Sequence, residues 1–369
     1  MFYMKQSINV ILSGGGTGGH IFPAIAIANA IKKIAPDTEI LFIGAKGKME
    51  MEKVPQAGYT IEGLDIAGFN RTNLFKNISL PIKLIKSFWK VRQLIGSFNP
   101  DAVIGVGGYS TYPVLRFAQQ KNIPTFIHEA NSFAGKSNML LGKRAIHVFV
   151  ATAGMEKFFP AEKITITGNP VRSAITSMNI SHTEALKFFG LSDDKKTVLV
   201  IGGSLGARSI NEVVAAHVHE FSSLGLQLIW QTGKNNAAAY LQRAKPFSNI
   251  YVNSFITDMD KAYAAADIVI SRAGAMSVAE LCVVKKPVIF VPYPFAAEDH
   301  QTANAMHLVN HQAALIVKDA EVSAKLFSTM VSLAKDEDQQ QTLSNNIASL
   351  AITDADTVIA QKVLSYIRA

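Results

Sequence analysis

Ser13-Gly14-Gly15-Gly16-Thr17-Gly18-Gly19-His20 decides how this chain is read. A short apolar strand, Ile8-Asn9-Val10-Ile11-Leu12, runs into it, and a helix from Ile21 to Ile34, with Pro23 in its first turn, runs out of it. Five glycines in seven positions let the backbone come close to a ligand. The helix start behind them offers N–H groups and the positive end of a dipole to an anion. His20 stands at the mouth of the loop, where an imidazole can take a proton from a substrate hydroxyl. About half a chain later the pattern returns. The strand Thr197-Val198-Leu199-Val200-Ile201 leads into Gly202-Gly203-Ser204-Leu205-Gly206-Ala207-Arg208 and then a helix through Phe221.

Two such turns so far apart are not one dinucleotide site. The first reads G-G-G-T-G-G-H rather than G-x-G-x-x-G, and no acid ends the next strand, Ile40-Leu41-Phe42-Ile43-Gly44, which weakens a hydride-transfer reading. Short apolar strands alternate with helices along the whole chain, as in parallel sheets covered on both faces. The predicted architecture is α/β, with two doubly wound Rossmann-like domains facing a central cleft and ligands at the C-terminal ends of the strands. Gly168 and Pro170 predict a hinge near Thr167–Arg172, giving domains 1–170 and 171–352. The tail 353–369 reads as a helix that packs back on the first domain.

Composition narrows the classes. The chain has 369 residues, 49% of them hydrophobic, a net charge of +8 and one cysteine, Cys282, which excludes a disulfide framework and a cysteine-rich zinc site. No apolar run reaches membrane-spanning length, so the expectation is a cytosolic protein or one attached to a membrane surface. Between Ile66 and Pro100 there is no acid but six cations: Arg71, Lys76, Lys83, Lys86, Lys90 and Arg92. On a helix from Ile82 to Phe98, Leu84, Phe88, Val91 and Ile95 form a core stripe. Ile82, Ile85 and Trp89 form a second arc among Lys83, Lys86, Lys90 and Arg92, which suits a helix resting on an anionic bilayer. The competing reading is a helix buried on two sides with solvated lysines at its edge. Nucleic acid is disfavoured, because no aromatic-interleaved basic motif appears.

A third loop, Ser271-Arg272-Ala273-Gly274-Ala275-Met276-Ser277-Val278-Ala279-Glu280, again leaves a strand and opens a helix. The Glu280 carboxylate can accept bonds from ribose hydroxyls; the alternative is a solvated helix glutamate. In Glu298-Asp299-His300-Gln301-Thr302-Ala303-Asn304, Gln301 and Asn304 share a helix face and suit sugar hydroxyls, or else are a polar helix start. His300, His307 and His311, and the acid pairs Asp258/Asp260, Asp336/Asp338 and Asp354/Asp356, follow no Gly-rich strand end, so neither metal nor cofactor is expected. The charge of a leaving diphosphate then falls to the second Gly-rich loop, Ser204 and Arg172.

Taken together, Gly14–Pro23, Gly105–Tyr109, His128–Asn131, Gly168–Arg172, Gly202–Arg208, Arg272–Glu280 and His300–Asn304 resemble, in order, the MurG-type glycosyltransferases, which convert lipid I to lipid II in peptidoglycan synthesis. The resemblance implies a GT-B fold, inversion at the anomeric carbon, UDP-GlcNAc as donor, lipid I as acceptor and no required metal. It implies donor contacts from Thr17, Gly18, Gly19, Asn131, Arg172 and Ser204. The Ile256 backbone and the segment Ala275, Met276, Ser277, Val278, Ala279 and Glu280 would hold the uridine, and Gln301 would lie by the GlcNAc. Gly15, Gly16, Gly107, Gly108 and Tyr109 would face the acceptor's diphosphate. It further implies a peripheral place on the cytoplasmic face of the inner membrane, with other cell-wall synthesis proteins as partners to test. Ala130 and Leu205 depart from the pattern, where glutamine is frequent, so an amide contact is lost at each. His20 and Glu129 are both candidates for the general base. Competing readings are a membrane glycolipid glycosyltransferase, a UDP-GlcNAc 2-epimerase, an NAD-dependent oxidoreductase and a non-catalytic nucleotide-binding module.

Overall fold

The computed structural model describes residues 7–66, 80–203 and 205–369. Arg71, Lys76 and Ser204, all singled out above, lie outside them. The chain divides into two units, Met1–Arg172 with Thr353–Ala369, and Ser173–Ile352.

The first unit holds seven strands: β1 (Asn9–Gly14), β2 (Glu39–Ala45), β3 (Thr60–Leu64), β4 (Ala102–Gly107), β5 (Thr125–Glu129), β6 (His147–Val150) and β7 (Ile164–Ile166). They form one parallel sheet in the order β3-β2-β1-β4-β5-β6-β7. The second unit holds β8 (Lys196–Ile201), β9 (Leu226–Gln231), β10 (Ile250–Asn253), β11 (Ile268–Ser271), β12 (Val288–Phe290) and β13 (Leu315–Ile316). These are also parallel, in the order β10-β9-β8-β11-β12-β13. Every residue of β4, β5 and β9 is buried, as in parallel strands covered on both faces.

In each sheet the strand order reverses beside its first strand, between β1 and β4 and between β8 and β11. Loops leaving neighbouring strands diverge there, and ligands of open α/β sheets bind in that crevice. The two Gly-rich turns leave β1 and β8, so both lie at these switch points.

Three helices matter below: α1 (Gly18–Ile34), α2 (Glu50–Gln56) and α3 (Leu80–Phe98). The terminal helix Ala355–Arg368 sends Ile359, Ala360, Val363 and Leu364 into one core with Ile27 and Ile31 of α1. Their four-residue spacing gives that helix its apolar stripe. The helix after the second Gly-rich turn is shorter than expected: it spans Arg208–Ala216, and a separate turn of helix follows at Glu220–Ser223.

Candidate active site

In the first unit the turns after β1 and β4 interlock. The Gly15 N–H donates to Gly107 O at 3.2 Å. The Thr111 hydroxyl donates to Gly107 O and Ser13 O at 2.9 and 3.0 Å. His20, in the first turn of α1, folds its ring back over this junction. A Cβ on Gly107 would stand 2.7 Å from His20 Cδ2 and 2.8 Å from Nε2, so only glycine leaves room for the imidazole. Nδ1 lies 3.1 Å from Gly15 O and 3.5 Å from Thr17 Oγ1. A carbonyl oxygen only accepts, so Nδ1 carries the proton and Nε2 is the basic nitrogen.

Beneath the loop lies a residue that the sequence reading passed over. Glu50, the first residue of α2, is buried, and its carboxylate accepts from Ala45 N–H at 3.0 Å and Gly16 N–H at 2.9 Å. A Cβ on Gly15 would collide with that carboxylate. No acid follows β2 directly in the chain, yet a carboxylate does reach its end. The Gly16 amide, assigned to the acceptor's diphosphate, is thus committed to Glu50.

Glu129, at the end of β5, is buried, and four donors surround it. Asn131 N–H and Asn131 Nδ2 reach Oε1 at 3.1 and 3.3 Å; Gly135 N–H and Asn138 Nδ2 reach Oε2 at 3.0 and 2.9 Å. This carboxylate braces its own loop. Asn131, expected at the donor, spends its amide N–H on the same brace. His128 is fully buried, and its Nε2–H donates to Gly168 O at 3.4 Å. Burial pushes its pKa down to about 4, so it is neutral near pH 7. The Arg172 guanidinium stacks 4.8 Å from the ring centroid of Phe22, which places it at the start of α1 near Gly18 and Gly19. Tyr109 is exposed beside Gly107 and Gly108.

In the second unit the Gly202–Ala207 turn rests on the end of β9. Gly206 has φ +84°, and a Cβ there would strike Thr232 O, so both backbone and space require glycine. Gln231 locks the arrangement: its Nε2 donates to Gly203 O at 3.4 Å, and its Oε1 accepts from Ile256 N–H at 2.9 Å. A nucleobase contact at Ile256 would therefore go through the carbonyl oxygen. Ala275–Ala279 make the first turn of the helix Ala275–Val284, with Met276 turned into the core. Glu280, further along, is buried, and the Tyr263 hydroxyl donates to its Oε2 at 3.1 Å, which rules out the solvated glutamate. Gln301 Oε1 accepts from Tyr293 N–H at 2.9 Å, leaving the donor end of its amide for a ligand. Asn304 does not share that role: it is buried, and its Nδ2 donates to Ala273 O at 3.2 Å. Arg272 fastens three segments, donating to Val291 O and Pro292 O at 3.1 Å each, to Ser209 Oγ at 3.1 Å and to Asp319 Oδ1 at 2.5 Å.

Among the described residues no group of three or more His, Cys, Asp or Glu is placed to hold a metal ion. Asp336 instead caps the helix Glu337–Ser349, and Asp258 pairs with Lys261 at 2.6 Å. Among the same residues no helix is long and apolar enough to cross a membrane.

On α3, Val91 and Ile95 are buried, whereas Ile82, Ile85 and Trp89 are 59, 59 and 66% exposed. The helix is therefore not buried on two sides. The basic rim is smaller than expected. Lys83 pairs with Asp65 at 3.3 Å, and Lys90 pairs with Glu62 at 2.7 Å, both carboxylates lying in or just beyond β3. Among the described residues of the segment, Lys86 and Arg92 remain as exposed cations.

Two doubly wound units, each with a Gly-rich turn opening a helix at its switch point, are the units of a GT-B fold. The glycosyltransferase family 28 N-terminal domain matches residues 10–150, and the family 28 C-terminal domain matches residues 197–359. A UDP-N-acetylglucosamine--N-acetylmuramyl-(pentapeptide) pyrophosphoryl-undecaprenol N-acetylglucosamine transferase of Phocaeicola vulgatus is 51% identical over 98% of this chain and 96% of its own length. A protein of the same name from Bacteroides thetaiotaomicron is 50% identical over 99% of this chain and 100% of its own. The crystal structure of Acinetobacter baumannii MurG superimposes with a TM-score of 0.74 at 28% identity, covering 97% of this chain and 99% of that one. The chain belongs to glycosyltransferase family 28 and, within it, to the MurG-type N-acetylglucosaminyltransferases.

Proposed function

We propose that this enzyme transfers GlcNAc from UDP-GlcNAc to the C4 hydroxyl of MurNAc in undecaprenyl-pyrophosphoryl-MurNAc-pentapeptide, lipid I, to give lipid II. The observation that carries this is the near-full-length identity of about one residue in two to transferases of that name. The site supports an inverting displacement. His20 Nε2 takes the hydroxyl proton as that oxygen attacks the anomeric carbon. The bond to UDP breaks, and its electron pair leaves on the β-phosphate oxygen. The start of the helix Arg208–Ala216 meets the departing charge. Glu280 and the turn Ala275–Ala279 take the uridine and its ribose, and the Gln301 amide takes the sugar. Tyr109, Gly107 and Gly108 belong to the acceptor. Ile82, Ile85, Trp89 and Lys86 on α3 dock the first unit on an anionic cytoplasmic leaflet, where the polyprenyl tail of the acceptor is anchored.

Release of UDP from UDP-GlcNAc tests the reading. Release that requires a lipid I analogue and persists in EDTA is expected. Release driven by diacylglycerol instead, epimerisation of the donor alone, or loss of activity in EDTA restored by magnesium would each overturn it.

A further inference from the structure

The peptide group between Gly15 and Gly16 has a partner at each end. Its N–H donates to Glu50 Oε2 at 2.9 Å, and its C=O accepts from His20 Nδ1 at 3.1 Å. A trans peptide is planar, with N–H and C=O pointing in opposite directions, so holding one end sets the other. Glu50 is itself held by the Ala45 N–H at the end of β2 and is almost completely buried. Gly15 has no side chain to keep the carboxylate away, and a Cβ on Gly44 would stand 2.6 Å from Glu50 Cγ. Two glycines thus make room for one acid under the loop that carries the base.

We propose that Glu50 is a positioning residue for the transfer reaction, acting on His20 through the Gly15–Gly16 peptide. This rests on His20 being the general base. The carboxylate orients and polarises the peptide, and the carbonyl then binds Nδ1–H more strongly. Two consequences follow. The tautomer with the lone pair on Nε2 is fixed, and the imidazolium formed when His20 takes the acceptor proton is stabilised. The relation is that of a buried carboxylate to the histidine of a hydrolase triad, with one peptide group interposed.

Among the described residues, titratable and charged groups face His20 from three elements. Glu50 lies across the peptide from α2, His128 comes from the end of β5, and Arg172 stacks on Phe22 in the same turn. His128 stays neutral over the working range, and Arg172 is always charged. Glu50 is therefore the negative charge among them that favours imidazolium.

The test is Glu50→Gln, which keeps the volume and removes the charge, with Glu50→Ala and His20→Ala alongside. Thermal unfolding confirms that each variant is folded. In Glu50→Gln, kcat on a lipid I analogue should fall on the order of tenfold, and the KM for UDP-GlcNAc should hold. The acid limb of the kcat–pH profile should move down by about one pH unit, because a histidine without its anion protonates at lower pH. A folded Glu50→Gln enzyme whose limb stays in place, whatever its kcat, refutes the proposal, since a purely structural brace would not move the limb. So does a loss that appears in the donor KM alone. His20→Ala separates the two levels: full turnover in that variant refutes the base assignment, whereas lost turnover together with an unmoved limb in Glu50→Gln refutes the role of Glu50 only.

Discussion

Replacing Ile82, Ile85 and Trp89 together with glutamine should release the enzyme from membranes and leave its chemistry intact. The three side chains are 59, 59 and 66% exposed, so the fold loses little when they change. Burying a full Ile or a comparable apolar side chain contributes about 1.5–3 kcal/mol. Scaled by those exposed fractions, the arc supplies roughly 3–5 kcal/mol on entering a bilayer interface, and Lys86 and Arg92 add about 1 kcal/mol each on an anionic surface. At about 1.4 kcal/mol per tenfold, the triple variant should bind phosphatidylglycerol-containing vesicles at least a hundredfold more weakly. Co-sedimentation at low salt measures this directly. Activity should fall on a long-chain acceptor presented in vesicles and hold on a short, water-soluble one. Lys86→Glu should weaken binding further, and Lys83→Glu should do more harm to the fold through Asp65 than to binding. Equal vesicle binding by the wild type and the triple variant would refute the docking argument.

Three other outcomes follow from the site. His20→Ala should lower kcat by about 10²–10⁴ and leave donor affinity largely unchanged, whereas Glu129→Gln should act through loop stability, visible as a lowered Tm. Glu280→Ala should weaken UDP-GlcNAc binding in calorimetry by roughly 1.5–3 kcal/mol for each lost charge-assisted bond, with Tyr263→Phe giving a smaller loss; unchanged affinity in Glu280→Ala would remove it from the ribose. Stability should also fall in acid because of His128, whose folded pKa of about 4 lies below its unfolded value near 6.5. Its stabilisation is complete above about pH 7 and declines as the unfolded chain takes up a proton between pH 6.5 and 4, by about 3 kcal/mol in total. Urea midpoints across that range should show a shallower slope in His128→Gln than in the wild type, and equal slopes would contradict it.

What could be read beforehand was what repeats locally. Strands with two apolar faces, such as β4 and β8, announce themselves in a few residues, and so do clustered glycines. β3 and β7 escaped because they lie at the two edges of their sheet, where polar residues such as Glu62 and Thr165 are tolerated and the run is short. The exposed arc on α3 was legible from helical spacing. The pairing of Lys83 and Lys90 was not, because Asp65 and Glu62 lie just ahead of the acid-free stretch and meet the helix only once β3 joins the sheet. Glu129 shows the same limit: a carboxylate is a base or a brace according to how many donors converge on it, and two of its four come from Gly135 and Asn138 further along the chain.

The first Gly-rich turn carries this point furthest. Its composition suggests an anion cradle throughout, yet its members divide the work. Gly15 leaves space for Glu50, and Gly16 gives its amide to the same carboxylate, so a phosphate at those two positions would meet a buried negative charge rather than a donor. Gly18 and Gly19 lie in the first turn of α1, among the amides that an α-helix leaves without intrahelical partners. Arg172 is held near them by Phe22. On the proposed assignment, the second half of the turn meets the anion and the first half positions the base. Substitutions of Gly18 or Gly19 should accordingly raise substrate KM, whereas Gly15→Ala, which drives a methyl group into Glu50, should act on kcat and its pH dependence.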